Sequence, residues 1–289
     1  MRLPRIGAHV SVAGGLARSL ERARGIGAEA LQVFPSNPRQ WLRPGVSPEE
    51  LGGFRGALRR SRRPLAVHTI YLINLASPDP ALGRKSSRAL ADALVFGARA
   101  GACGVVTHVG SHRGEGFEAA LGRVASAVRE ALGLAAPEAA PRPLPPLLLE
   151  TAAGGTGSVG ASPGELRRLL DVLPEDLTAG VCLDTAHLFA AGHPVHTPEG
   201  CDGYLADLDR AVGLGRVGLV HLNDSRSELG SRRDRHENLG EGAIGMEGLG
   251  FWVRHPALRH APFVLETPGF DDKGPDRKNL RRAKALREG

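Results

Sequence analysis

Eight short apolar runs recur along this chain, and their regular spacing constrains the fold more than any other feature. They are Ile6–Val10, Leu31–Phe34, Leu65–His68, Val105–Val109, Leu147–Glu150, Val181–Asp184, Leu219–Asn223 and Phe263–Glu266. Each has strand length and carries β-branched, leucine or aromatic residues. Stretches able to form helices separate them, over 14–24, 48–61, 85–100, 117–132, 163–173, 199–212, 246–254 and 276–287. Eight alternations of strand and helix in 289 residues predict an α/β fold, a (β/α)8 TIM barrel formed as one domain over 1–289. A doubly wound open sheet is the alternative. Residues 135–146, AAPEAAPRPLPP, read as a stiff surface loop before the fifth strand.

The ends of the runs decide between the two. From the third run onward they close on His68, His108, Glu150, Asp184, His221 and Glu266. In a barrel of parallel strands these ends converge on one face, where barrel enzymes place their chemistry; an open sheet would spread them along a line. An apolar strand ending in a carboxylate, as at Glu150 and Glu266, buries an unpaired charge unless a cation or donor meets it. Asp184-x-x-His187 sets a second imidazole one turn beyond a strand end. After His221 comes a loop rich in Gly, Ser and Arg that holds Asn223, Asp224, Asp234, His236 and Glu241. So many ligand-type side chains are costly to order unless something binds them. Imidazole with carboxylate suits zinc, manganese or iron better than calcium or magnesium.

Other features set limits. No apolar run is long enough to span a bilayer, and the first residues lack the apolar segment of a signal peptide. Cys103, Cys182 and Cys201 have no ligand spacing and read as buried free thiols in a reducing cytoplasm. A formal net charge of +6 fits a polyanionic partner. Gly155-x-Gly157-x-x-Gly160 matches a dinucleotide fingerprint but comes late in the chain and reads as a flexible loop, so no nucleotide cofactor is expected. Gly160-x-Ser162-x-Gly164 matches a nucleophile elbow, yet Ser162-Pro163-Gly164-Glu165 is better explained as a helix start with a capping box. His112 is placed beside the site as a supporting or substrate contact. His9, His193 and His196 are left out as metal ligands.

The stretches HLNDSRSELGSRRDRHENLGEG, GVCLDTAHLFAAG and HTIYLINLA closely resemble the endonuclease IV family, metal-dependent apurinic/apyrimidinic DNA-repair endonucleases. The order of motifs agrees from IGAHVSVAGGL to the LET near the end, so the resemblance covers nearly the whole chain. It implies three zinc ions, with manganese or iron as substitutes. His68, His108 and Glu150 would hold one. Glu150 would bridge to a second, held also by Asp184, His221 and Glu266. His187, Asp234 and His236 would hold the third. Arg39, Tyr71 and Leu72 match segments that enter DNA at the lesion. Thr69, Val109 and the 151–160 loop depart from the family pattern.

The resemblance further implies cleavage 5′ to abasic sites in duplex DNA by a metal-held hydroxide, with Glu150 as the bridging carboxylate, and trimming of blocked 3′ ends. A cytoplasmic monomer is expected. Two rival readings remain at this point. One is a metal-dependent sugar isomerase or epimerase on the same barrel. The other is a DNA-binding module with a structural metal, which strand-end clustering disfavours because structural sites are usually closed and rich in Cys.

Overall fold

A strand sends alternate side chains to opposite faces, and closure of a sheet makes one of those faces an interior. A computed structural model describes residues 3–41 and 45–288, so Met1, Arg2, Leu42, Arg43, Pro44 and Gly289 of the expected domain lie outside the described residues. In it β1 (Ile6–His9), β2 (Leu31–Val33), β3 (Leu65–His68), β4 (Gly104–Thr107), β5 (Leu147–Glu150), β6 (Ala179–Asp184), β7 (Val217–His221) and β10 (Phe263–Leu265) form one closed parallel barrel. Two short strands, β8 (Asp224–Ser225) and β9 (His236–Glu237), pair with each other outside it. β1 pairs with both β2 and β10, which excludes the open sheet.

The interior is layered. Ala66, Val106, Leu148, Cys182, Leu219 and Val264, one from each of six strands, pack together as a small separate core. Leu148 fills the middle. A Cβ added at Gly104 would lie 2.7 Å from the Leu148 side chain, and one at Gly218 would lie 2.6 Å from it, so any larger residue there would force the Leu148 side chain to shift. Two residues beyond each member of this layer stands a polar group: His68, His108, Glu150, Asp184, His221 and Glu266. The strand period of two therefore converts an apolar plug into a polar cup within one step along the chain. The other strand faces, including Val67, Leu147, Leu149, Val181, Val220 and Phe263, pack into the main core beneath the helices.

The helices are α1 (Leu16–Ile26), α2 (Pro48–Ser61), α3 (Pro80–Ala100), α4 (Phe117–Ala139), α5 (Pro163–Asp171), α6 (Thr185–Ala191), α7 (Pro198–Ala211), α8 (Gly245–Arg254) and α9 (Arg277–Glu288). Ser47, Asp79, Ser162 and Thr197 cap α2, α3, α5 and α7, each with proline directly after it. Caps of this kind each stabilise a helix by about 1 kcal/mol. The Asp79–Pro80 signal starts α3 five residues ahead of the expected Lys85.

Two expectations fail. The segment 135–146 is not all loop: α4 continues through Pro137 to Ala139, because alanine is the strongest helix former and Ala131, Ala135 and Ala139 are buried on one side of it. Cys103 is exposed, whereas Cys182 and Cys201 are buried; all three are free. No helix among the described residues is long and apolar enough to cross a membrane.

Candidate metal centre

Three groups of side chains place a donor atom from each member within 4.8 Å of the others: His68, His108 and Glu150; Glu150, Asp184, His221 and Glu266; and Asp184, His187 and His236. Shared carboxylates join them. Glu150 Oε2 lies 3.0 Å from His68 Nε2 and 3.4 Å from His108 Nε2. Its Oε1 lies 2.9 Å from His221 Nδ1 and 3.4 Å from His187 Nδ1. Asp184 belongs to the second and third groups alike, beyond the single group expected of it. Asp234 stands outside these groups but closes over the third, 3.1 Å from His187 Nε2 and 3.2 Å from His236 Nε2. All nine side chains expected from the strand ends and the loop therefore meet in one cup.

The histidines are oriented as ligands are. A ligating imidazole usually donates its second ring N–H to a fixed acceptor, which sets the tautomer. His68 Nδ1 donates to the Thr69 carbonyl at 2.7 Å, and His187 Nδ1 to the Thr151 carbonyl at 2.9 Å. His236 Nδ1 donates to the Glu266 carbonyl at 3.4 Å, and His221 Nε2 donates to Gln32 Oε1 at 2.9 Å. In each case the opposite nitrogen faces the cup. Two of these, Nε2 of His187 and of His236, are buried and make no aligned hydrogen bond, although the Asp234 carboxylate stands close to both. Buried orphan nitrogens among carboxylates fit a cation, and the mixed N and O donor set fits zinc, manganese or iron.

Electrostatics agree. Burial would raise the Glu150 carboxyl, but His108, His221 and His187 outweigh it and hold it well below the usual carboxylate range. Glu266 is lowered too, burial being overcome chiefly by His221 and His9. Burial opposes a charge on His187, yet Asp184, Asp234 and Glu150 push it well above the usual imidazole value. His236 rises to about 9 against burial, through Asp184 and Asp234. Without a cation these imidazoles take protons as the counter-charge. His108, lowered mainly by burial, keeps a free lone pair.

Residues not singled out from the sequence hold this arrangement. Gln32, fully buried on β2, donates from Nε2 to Glu266 Oε1 at 2.7 Å while its Oε1 accepts from His221. One amide thus fixes two members of the second group. His9 Nδ1, 3.0 Å from Glu266 Oε1, is a supporting contact and falls in none of the three groups. His9 and Gln32 complete the ring: every barrel strand gives the cup a polar side chain from its last residues or from the residue just after it. Asn223 donates to Asp184 Oδ2 at 2.7 Å and accepts from the Glu266 backbone N–H at 2.8 Å. Asp184 also caps α6, accepting from the His187 backbone N–H at 2.9 Å.

The long loop is less costly to order than its composition implied. The antiparallel pairing of β8 with β9 fixes His236. Buried Asp224 accepts backbone N–H bonds from Gly240, Gly242, Ile244 and Gly245 at 2.8–3.2 Å. Glu241 pairs with Arg282. His112 does not reach the cup; its Nδ1 accepts from the Gly114 and Gly116 backbone and shapes its own loop. The glycine-rich stretch before α5 is no phosphate cradle, since Glu165 Oε2 already takes the N–H groups of Gly160 and Ala161 at 2.9 Å. Ser162 is the helix cap expected of it. Thr69, a departure from the family pattern, still serves His68 through its carbonyl.

Beside the cup lies a cavity of about 560 Å³ lined by His9, Phe34, Asn37, Tyr71, Glu266 and Lys273. Tyr71 is 58% exposed on its rim, 5.0 Å from the Phe34 ring, and its backbone N–H bonds the Pro38 carbonyl. Arg39 is exposed nearby in a turn closed by Asn37 Oδ1. Leu72 is half-buried against the core.

Comparison with known proteins agrees with this geometry. A family described as xylose isomerase-like TIM barrel matches residues 20–288. A probable endonuclease 4 of Chloroflexus aurantiacus is 42% identical over 290 residues, covering 99% of both chains. The crystal structure of endonuclease IV from Thermus thermophilus superposes with a TM-score of 0.86 at 42% identity, over 99% of each chain. A D-tagatose 3-epimerase-like protein, at 18% identity and a TM-score of 0.69 over 98% of this chain and 96% of its own, shares the fold alone. The extent of the first two matches, together with the nine side chains gathered in the cup, shows that the chain belongs to the endonuclease IV family, the AP endonucleases of DNA repair.

Proposed function

We propose that the chain is a metal-dependent endonuclease that hydrolyses the phosphodiester 5′ to an abasic site in duplex DNA, leaving a 3′-hydroxyl and a 5′-deoxyribose phosphate, with trimming of blocked 3′ ends as a second activity. It acts as a cytoplasmic monomer, the whole chain serving as one catalytic domain. Three zinc ions, replaceable by manganese or iron, would be held by His68, His108 and Glu150; by Glu150, Asp184, His221 and Glu266; and by His187, Asp234 and His236, with Asp184 adjoining. The observation that carries this reading is the sharing of Glu150 and Asp184 between adjoining donor groups, which sets them side by side at the mouth of the barrel.

Bound there, divalent ions supply Lewis acidity, bringing water to deprotonation near neutral pH and offsetting charge on phosphate oxygens. The chain's own groups prepare the place. Glu150 stays ionised and offers one oxygen to each of two groups. Gln32, Thr69 and Thr151 hold imidazoles in the tautomer that turns a lone pair inward. No side chain needs to act as a covalent nucleophile, in keeping with Ser162 serving as a cap.

Selectivity rests on the neighbouring cavity. It receives a sugar that carries no base, and unstacking such a nucleotide costs less than flipping an intact one. Tyr71 stays a neutral phenol beside the Glu266 and Glu150 carboxylates, and its exposed ring is free to stack. Arg39, exposed on the same rim, fills the gap in the duplex. Leu72 has less free surface for that role.

The test is metal content by elemental analysis, with nicking of a duplex carrying one abasic site measured before chelation, after it and after zinc is restored. Nicking is expected to vanish and return, with an intact duplex left uncut throughout. Nicking that survives complete removal of metal would overturn the proposal.

A further inference from the structure

At the opposite end of the barrel, away from the cup, lies a larger cavity of about 1140 Å³. Its position follows from the chain: Arg5, Pro64, Cys103 and Pro262, all on its wall, directly precede β1, β3, β4 and β10. Six arginines line it, Arg5, Arg55, Arg59, Arg62, Arg63 and Arg259, and among the described residues no Asp or Glu does. That local charge equals the formal net charge of the whole chain, +6, so the remainder of the molecule is balanced. This positive wall lies away from the place where the proposed DNA chemistry occurs.

Like charges around one concave space repel, and low-dielectric walls focus their field. Some of the guanidinium groups are held in place by the backbone. Arg5 donates to the Arg62 carbonyl, and Arg63 Nε donates to the Ala28 carbonyl at 2.8 Å. A guanidinium has five donors, so one such bond leaves others for a ligand, and its fork matches phosphate bidentately. Leu3, Leu58, Ala261 and Pro262 add apolar wall between the charges. A concave site with convergent cations and apolar surface suits a small molecule better than a rigid duplex, which would rest on the rim.

We propose that this cavity is a binding site for a small phosphate ester, a phosphate joined to an apolar or aromatic body, separate from the metal centre. The test uses adenosine 5′-monophosphate and adenosine as probes on the metal-loaded protein, by calorimetry and by the shift in Tm. Three proteins are compared: the natural one, R55E/R59E in the cavity, and R88E/R129E, which makes the same charge change at exposed positions on α3 and α4. Any monophosphate held by the metal centre is common to all three, so the differences report the cavity.

The expected result is binding at least about tenfold weaker in R55E/R59E than in the other two, as loss of two charge-assisted contacts implies. Adenosine should bind none of them, and abasic-site nicking at saturating DNA should be equal in all three, showing that the variants fold. Equal monophosphate binding in all three proteins overturns the proposal, as does adenosine binding as well as its phosphate. If R55E/R59E loses affinity for an intact duplex while keeping the monophosphate, the face serves nucleic acid and the small-ligand proposal falls.

Discussion

The apolar plug and the polar cup are built from the same six strands, two residues apart, and they answer to different physics. In the plug, Leu148 stands against glycines because shape decides what fits. In the cup, Glu150, on the same strand and the same face, stands among imidazoles because charge decides. A barrel strand thus separates stability from chemistry by one step of its own period, and a substitution on either side should leave the other largely intact.

The sharpest way to break that separation is at Glu150. Glu150→Gln keeps the shape but removes the charge that two donor groups share. Nicking should fall by about three orders of magnitude or more while Tm of the metal-free protein changes little; near-normal turnover with full metal content would contradict the shared-carboxylate reading. Two residues back, Leu148→Ala should cost about 2–5 kcal/mol of stability through the cavity it leaves. Metal stoichiometry of the folded protein should be unchanged, and elemental analysis beside a denaturant melt would show whether plug and cup are coupled.

Acidity sharpens the contrast further. In the metal-free protein His236 has its pKa raised from 6.5 to about 9. Its contribution is therefore full below the unfolded value and is lost as pH rises through about 9, on the order of 3 kcal/mol. Glu150, Glu266 and Asp234 are lowered, so their contribution is present above the ordinary carboxylate range and lost as pH falls below that range towards their lowered values. Melts of chelated protein should show Tm dropping by several degrees between pH 6.5 and 9, and the zinc-loaded protein should not follow, because a cation replaces the protons. A flat profile in the chelated protein would place the protons elsewhere. The smallest effect is expected at Gln32. Gln32→Leu removes the amide that aligns His221 and Glu266, and should weaken zinc about 10–100-fold, read by competition with a chromogenic chelator. An unaltered affinity would reduce Gln32 to packing.

The barrel and most of the centre were legible because His, Asp or Glu at the end of an apolar run conflicts with burial, and such conflicts show in a sequence. Gln32 raised no conflict: a neutral amide in the middle of a three-residue strand carries no charge for burial to oppose. His9 lacked a partner at recognisable spacing, since its neighbour in space, Glu266, lies at the other end of the chain. Asp224 looked like a ligand among ligands, and only the direction of four backbone N–H groups shows that it serves the loop. The α6 helix escaped notice because its seven residues follow Asp184 without a break, the carboxylate serving as both donor-group member and cap. The arginine-lined cavity draws on five separate segments, so no stretch of sequence announces it.

Asp224 has one consequence for the life of the centre. Since it knits residues 240–245 using only the chain's own amides, the segment that follows His236 needs no ion to hold its shape. Filling or emptying the donor group beside it would then leave this part of the loop standing, so the chain need not be rebuilt around each new ion.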